Sequence, residues 1–505
     1  MAAQRVIIVG AGVGGLSLSI YLARQGFDVE VLEKHGVAGG RCGVLEREGH
    51  RFDLGATLLL MPRLFRAIYA DWGERLDEQL QLLPLDPIYD LHFERGSRFR
   101  FTPNLPALRA QAESLEPGSF DRVLRCIELG WRQYEGLMGR FLGRNFDGPW
   151  DYFTPRNAWD FVRLKAHRNH YRHVRRYFQS EELRAAFTFQ NIYVGQSPFA
   201  TSAAYGLLPA MELAQGGWYP RGGMHAIAGS LGAIAGKAGV RVRYGANVEE
   251  ITVAAGRATG VRLDDGSRVE ADVVAANADL PYVYRRLLPD SRERERLNRL
   301  RYTCSAIVFH WGVGRRHPEL GHHNIFLGAD YRAGFDNIFE RRTLSRSPHF
   351  YLNRPSSTDP SCAPAGKDTL SAIVPVHHAG GNPAEDWRGL AGRARDAVFR
   401  RLARSGCADL SDRIECEVLL TPADWERRLN LTHGSVFGSL DHRITQVGYL
   451  RPSNRHPRYS NLYFVGGSTH PGSGVPLALL SGRLTAERIL LGEGRSRPVL
   501  AALEF

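Results

Sequence analysis

Cysteine is scarce in this chain, with six in 505 residues. Cys42, Cys126, Cys304, Cys362, Cys407 and Cys416 form no CxxC pair and no metal-ligand spacing. A disulfide scaffold is thereby excluded, and a reducing compartment is expected. Also missing is any run of the roughly 20 apolar residues that a spanning helix needs. The nearest case, residues 185–211, has no charge but contains Gln190, Asn191, Gln196, Ser197, Pro198 and Pro209, so it is expected to be buried or interfacial. No repeat period and no low-complexity tract occurs. The opening MAAQRVIIVGAG enters an apolar strand without a basic leader or cleavage site, so neither secretion nor import is expected. The tail after Gly492 reads as a loose end. No zinc-finger spacing, aromatic-and-basic RNP run or lysine-rich tail accompanies the positive charge, so no nucleic-acid partner is expected.

What is there describes a large globular protein. Hydrophobic residues make up 43% and charged residues 23%, near the ordinary range, and the length suits roughly three lobes. Lys and Arg number 65 against 53 Asp and Glu, a net charge of +12. An anionic membrane surface is a plausible partner for such a balance.

The first unit is Arg5-Val6-Ile7-Ile8-Val9, a β-branched run suited to a parallel strand buried on both faces. Gly10-Ala11-Gly12-Val13-Gly14-Gly15 follows, then a helix from Leu16 to Gln25 closing at Gly26, then a strand from Phe27 to Leu32 ending in Glu33. This is a βαβ unit of dinucleotide-binding length. Gly10 permits the tight turn, Gly12 lets the backbone approach a pyrophosphate, Gly15 lets helix and strand pack, and the helix N-terminus, with Gly14 in its first turn, faces the phosphates. Glu33 stands where an acid hydrogen-bonds a ribose 2′-OH, which disfavours NADP.

A second region, Val240 to Asn277, reads as short strands with an Asp264-Asp265-Gly266 turn, a small antiparallel layer feeding back into the sheet. A third, Asn461 to Gly467, is a strand into glycines, followed by a helix from about Pro476 to Leu491. The expected domains are therefore a discontinuous cofactor domain (1–100, 216–284 and 455–495) and a substrate lobe (101–215 and 285–454).

Gly39-Gly40-Arg41, a second diglycine after the second strand, resembles the FAD enzymes of the glutathione reductase and amine oxidase type. NLYFVGGSTHPGS from Asn461, continuing Gly474-Val475-Pro476, is similar to the end of the bacterial and fungal carotenoid (phytoene) desaturase family. The block from Phe178 to Met224, Phe309-His310-Trp311-Gly312, Gly321-His322-His323-Asn324, Pro375-Val376-His377-His378 and the stretch from Asn430 to Pro452 resemble that family in order and spacing. The resemblance covers nearly the whole chain.

It implies an α/β fold in which a Rossmann-like FAD-binding domain is built from discontinuous segments, beside an α+β substrate lobe with a helical, membrane-facing part. The implied activity is FAD-dependent removal of hydrogen across CH2-CH2 units of a long carotenoid precursor, phytoene towards neurosporene or lycopene. The alternative is a desaturase, terminal oxidase or ketolase of a C30 or already oxidised carotenoid. A hydrocarbon substrate calls for a long apolar tunnel. An electron acceptor, O2 or a quinone, and peripheral attachment to the inner face of the cell membrane are further implications. A small amine oxidase and a non-enzymatic lipid-binding scaffold are competing readings.

By family position the cofactor would contact Lys34, Gly40, Arg41, Gly55, Ala56, Thr57, Val248, Gly466, Gly467, His470, Gly474 and Val475, besides the first glycines and Glu33. Val475 would present its N–H to the flavin's pyrimidine edge. His470 would donate to the cofactor or brace its turn. The family's FDxGPT is here Phe52-Asp53-Leu54-Gly55-Ala56-Thr57, and Leu477-Ala478-Leu479 replaces a smaller turn, departures that bear on substrate more than on FAD. Arg168 matches a family arginine and is the catalytic candidate, stabilising negative charge on the reduced ring. Around it Arg163, Lys165, His167, His170, Arg172, His173, Arg175 and Arg176 form a basic cluster expected to seat the molecule on a bilayer together with residues 185–211. Neither histidine pair has the spacing of a metal site, and no metal is expected.

Overall fold

The computed structural model describes residues 3–288, 291–380, 382 and 384–496. The part of the tail beyond residue 496 lies outside them.

The first strand, β1 (Arg5–Val9), helix α1 (Val13–Arg24) and β2 (Asp28–Glu33) form the expected unit. β1 is the centre of a five-stranded parallel sheet, flanked by β2 and Arg241–Tyr244 on one side and by Val273–Ala276 and Leu462–Phe464 on the other. Three stretches far apart in sequence thus share one sheet, and their glycine turns gather at its carboxyl edge, where open α/β sheets bind ligands. Val6 and Ile8 pack under α1 and the C-terminal helix Val475–Gly492, while Ile7 and Val9 pack on the opposite face. Val248–Ala254, Arg257–Leu263 and Arg268–Glu270 make the antiparallel layer, which returns to the parallel sheet at Val273.

The second layer is a seven-stranded sheet in the order Ile414–Leu420, Ser305–Val313, Asp368–Val376, Phe350–Asn353, His323–Phe326, Tyr89–His92, Arg98–Phe101. Its strands alternate as a two-sided sheet must. Ile307, Phe309, Trp311 and Val313 pack with residues of the helix Trp387–Ala403, whereas Ala306 and Val308 face a cavity on the other side. One boundary needs correction. Residues 89–100, placed by sequence in the cofactor domain, supply with Phe101 the last two strands of this second sheet; short amphipathic strands do not reveal which sheet they join.

Candidate active site

One cavity of about 1170 Å³ runs from the glycine turns of the first sheet, across the inner face of the second, to the surface. At its inner end the wall is main chain: Gly12 to Gly14, Gly39 to Arg41, Gly55 to Thr57, Gly466 to Ser468 and Ser473 to Ala478 all line it. Gly39 N–H donates to the Ala11 carbonyl at 2.9 Å, which locks the second diglycine onto the first turn. A Cβ at Gly15 would lie 2.3 Å from the Gly10 carbonyl oxygen, and one at Gly55 2.7 Å from that of Arg41. Gly474 has φ +106°, a conformation open to glycine, and starts the 18-residue helix at Val475. Two helix N-termini therefore border the same space, positive end inward.

Asn277, which the sequence did not single out, is the keystone of this end. Its Nδ2 donates to the Gly10 carbonyl at 3.1 Å, and its side chain is what a Cβ at Gly12, Gly14, Gly15 or Gly466 would meet. The available signal was its place directly after a parallel strand, at the sheet edge that binds ligands.

Glu33 caps the turn. Its two oxygens accept from Ala11 N–H at 2.8 Å and His35 N–H at 2.9 Å, which fixes the carboxylate and leaves lone pairs for a ribose. Glu33, Lys34 and Val248 lie beyond the glycine turns and do not line the cavity; burial draws the Lys34 pKa below its usual value. Asp53 braces the Gly55 segment from behind, accepting from Tyr219 Oη at 2.8 Å and Met224 N–H at 2.7 Å, and burial pushes it up to about 6.

One sequence expectation needs correction, and of the two roles expected for His470 its contacts fit one. Arg168 sits in the turn between the helices Pro155–Arg163 and His170–Val174 rather than in a helix, it is not among the cavity-lining residues, and its charge acts on His173 and Tyr177. His470 turns its imidazole away from the cavity, with Nε2 2.8 Å from the Arg144 carbonyl and the ring against Phe146; it braces the turn, and burial draws its pKa down to about 4.

Beyond the glycines the wall is apolar: Leu137, Met138, Leu207, Leu208, Met211, Ile325, Ile373 and Trp425. Tyr152, Phe153, Tyr193 and Tyr205 also line it, whereas Trp311 is buried against Phe399. A polar patch interrupts the wall. Tyr351 Oη donates to Thr57 Oγ1 at 2.8 Å and meets His323 Nδ1 at 2.6 Å, while Tyr89 Oη lies 2.7 Å from the buried Glu212, whose pKa burial pushes up to about 8. Among the described residues no lysine lines the cavity, and its one carboxylate, Asp279, accepts from Thr432 N–H; burial raises its pKa, against the charge of Arg41.

The outer end is flanked by Pro149–Tyr152 and Pro155–Arg163 and by residues 444–450. Here amphipathicity is reversed. Trp150 is 84% and Trp159 66% exposed, with Phe153, Val162, Ile444 and Leu450 also exposed, while Asp160 is buried in ion pairs with Arg140 and Arg163. The 185–211 segment does not join this surface: only Ala200 of it is exposed. In the basic cluster Arg172, Arg175 and Arg176 point to solvent and His170 and His173 are buried. No helix among the described residues is long and apolar enough to cross a membrane.

Away from the cavity His317, Glu319 and Cys407 converge, a grouping that no spacing announced. Glu319 accepts from Cys407 at 3.4 Å and pairs with His317 at 2.9 Å.

The glycine cradle, the two helix N-termini and the acid at the turn fit a flavin dinucleotide. Comparison with known proteins agrees. Residues 13–490 match the model of the flavin containing amine oxidoreductases. A zeta-carotene-forming phytoene desaturase of Myxococcus xanthus is 46% identical over 489 residues, 96% of this chain and 94% of that protein. A phytoene desaturase of Fusarium fujikuroi is 38% identical over 97% of this chain and 90% of that protein, and a 4,4'-diapolycopene oxygenase of a Methylomonas species is 33% identical over 96% and 98%. Among solved structures a putrescine oxidase variant superposes with a TM-score of 0.65 at 17% identity, covering 97% of this chain and 99% of that one, a likeness of fold.

Proposed function

The chain belongs to the carotenoid desaturases of the flavin containing amine oxidoreductase family, and from that premise we propose that it dehydrogenates CH2-CH2 units of phytoene, towards neurosporene or lycopene. The observation that carries this reading is a single cavity whose inner wall is a glycine cradle and whose remaining length is apolar and open at an aromatic mouth. FAD, held by Gly10 to Gly15, Glu33, Gly40, Arg41, Gly55 to Thr57, Gly466, Gly467, Gly474 and Val475, supplies the acceptor for the hydride equivalent. The chain's own work is positional. Ala306, Val308, Ile325 and Ile373 offer a flat apolar floor along which a polyene slides, and Leu207, Leu208 and Met211 close the opposite side and keep water out. Among the described residues the wall carries no carboxylate free to pair with an ammonium group, which speaks against a small amine oxidase.

The mouth is the proposed membrane contact. Trp150, Phe153, Trp159 and Val162 would enter the interfacial layer, with Arg156 and Arg163 against anionic headgroups. A substrate dissolved in the bilayer, and a quinone as electron acceptor, would then reach the cavity without crossing water; O2 is the other acceptor. On this reading the protein sits at the inner face of the cell membrane.

A second reading, an oxidised or shorter carotenoid, is favoured by the polar patch of Thr57, Tyr89, Tyr193, His323 and Tyr351, which pure hydrocarbon would leave unused. The test is to incubate the purified protein with FAD and phytoene in liposomes and record the pigment spectrum. New long-wavelength bands are expected, and their position counts the double bonds. No change with FAD bound, but turnover of an oxygenated carotenoid, would select the second reading.

A further inference from the structure

Directly behind the glycine wall stands a guanidinium to which the sequence assigned no role. Arg451 is 3% exposed. It donates from Nε to the Thr469 carbonyl at 2.9 Å, from Nη2 to that of Gly467 at 2.7 Å, and from Nη1 to those of Asp441 and Gln446 at 3.2 and 3.4 Å. These neutral oxygens take up four of its five N–H donors without cancelling its charge. Burial draws its pKa down to about 10, so it remains cationic at neutral pH. Among the described residues no carboxylate pairs with it directly, Asp441 and Asp279 acting on it only from a distance; a buried charge so partly compensated is costly, and its retention calls for something that uses it.

The neighbouring carboxylates offset it only in part, because each is engaged by another group. Asp441 is the nearest candidate, but its carboxylate is taken by Gln196 and by Arg443 at 3.1 Å. The other acid, Asp279, faces Arg41, whose Nη2 is the atom that a Cβ on Gly467 would meet, at 2.6 Å. Tyr205 also faces Arg451, with its hydroxyl kept neutral by burial. Three guanidiniums, Arg41, Arg443 and Arg451, thus share two carboxylates, Asp279 and Asp441. The N-terminus of Val475–Gly492 opens on the same stretch of wall, adding its positive end.

We propose that Arg451 is a positioning residue that fixes the Gly467 to Thr469 turn and sets a permanent positive charge behind the cofactor wall, favouring the reduced, anionic flavin over the oxidised one. The same four hydrogen bonds tie the 441–446 segment, which leads to the mouth, to the cofactor turn. The proposal rests on the flavin assignment and adds to it a determinant of the redox balance.

The test is the two-electron reduction equilibrium of the purified holoenzyme, followed anaerobically against a reference dye, with FAD content measured separately. Arg451→Met is expected to lower the reduction equilibrium constant at least tenfold, about 30 mV for a two-electron couple. Arg451→Lys, which keeps the charge, should restore it to within about threefold, a rescue not expected of a purely hydrogen-bonding role. Asp441→Asn should shift it the opposite way by unmasking charge. An unchanged potential in an FAD-replete Arg451→Met protein overturns the proposal. Should that variant lose FAD, Asp441→Asn decides: an upward shift supports the proposal, and an unchanged potential overturns it. Wild-type protein that binds no FAD would instead overturn the flavin reading on which it rests.

Discussion

At the inner end of the cavity the wall is main chain, held at hydrogen-bond distance by glycines that accept no side chain; at the outer end it is side chain, Phe153, Val162 and Leu450, with Trp150 and Trp159 beside it turned towards solvent while Asp160 is buried. The first arrangement discriminates by exclusion, because one methyl group closes it. The second works by area, because each aromatic adds a part of a contact. Damage at the inner end should therefore be abrupt and local, and damage at the mouth graded and additive.

Four changes would sharpen or break that contrast. The largest effect is expected from Gly15→Val, whose branches would drive into the Gly10 carbonyl and Asn277. FAD content of the purified protein should fall at least tenfold, with a stability loss of roughly 3 kcal/mol; a protein that retains FAD would refute the cradle. Next, the triple change Trp150→Ser, Phe153→Ser, Trp159→Ser should weaken liposome binding about tenfold or more at unchanged FAD content, with single changes giving partial losses.

Third is the buried acid. Glu212 has a folded pKa near 8 against about 4.3 unfolded. Its carboxyl stays protonated in the folded chain while the unfolded chain ionises. The stability it contributes is therefore complete below about pH 4.3 and is lost as pH rises towards 8. Glu212→Gln should flatten that decline and raise Tm at pH 8 relative to wild type; parallel Tm profiles from pH 5 to 8 would contradict the assignment. The smallest effect is expected from reversing Arg172, Arg175 and Arg176. Liposome flotation should weaken a few-fold at low salt and converge with wild type at high salt, whereas an effect larger than that of the aromatic triple would return the membrane contact to the basic cluster.

The same contrast decides what could be read in the sequence. The βαβ unit, the Gly39-Gly40 pair and the run from Gly466 to Val475 were legible because a glycine constrains its own backbone, so spacing carries geometry. The mouth was not. Phe153 and Trp159 are compatible with an ordinary core, and it is the nearby Asp160 that is buried instead, against Arg140. Asn277, Glu212 and Arg451 were missed for a related reason: each owes its role to partners distant in the chain, Gly10, Tyr89 and Gly467. Arg168 shows the converse error, since a match in position placed it at the flavin while the fold leaves it in a turn outside the cavity. The strands at 89–101 show it for topology.

The central claim is that cofactor and polyene share one chamber, so that hydrogen passes directly between them. It is tested most directly by mixing the FAD-loaded protein with phytoene-bearing liposomes under anaerobic conditions, with no other acceptor, and following flavin absorbance through a single turnover. The account predicts bleaching of the flavin with one new double bond formed per flavin reduced. Desaturated product without flavin bleaching, or bleaching without product, would contradict it.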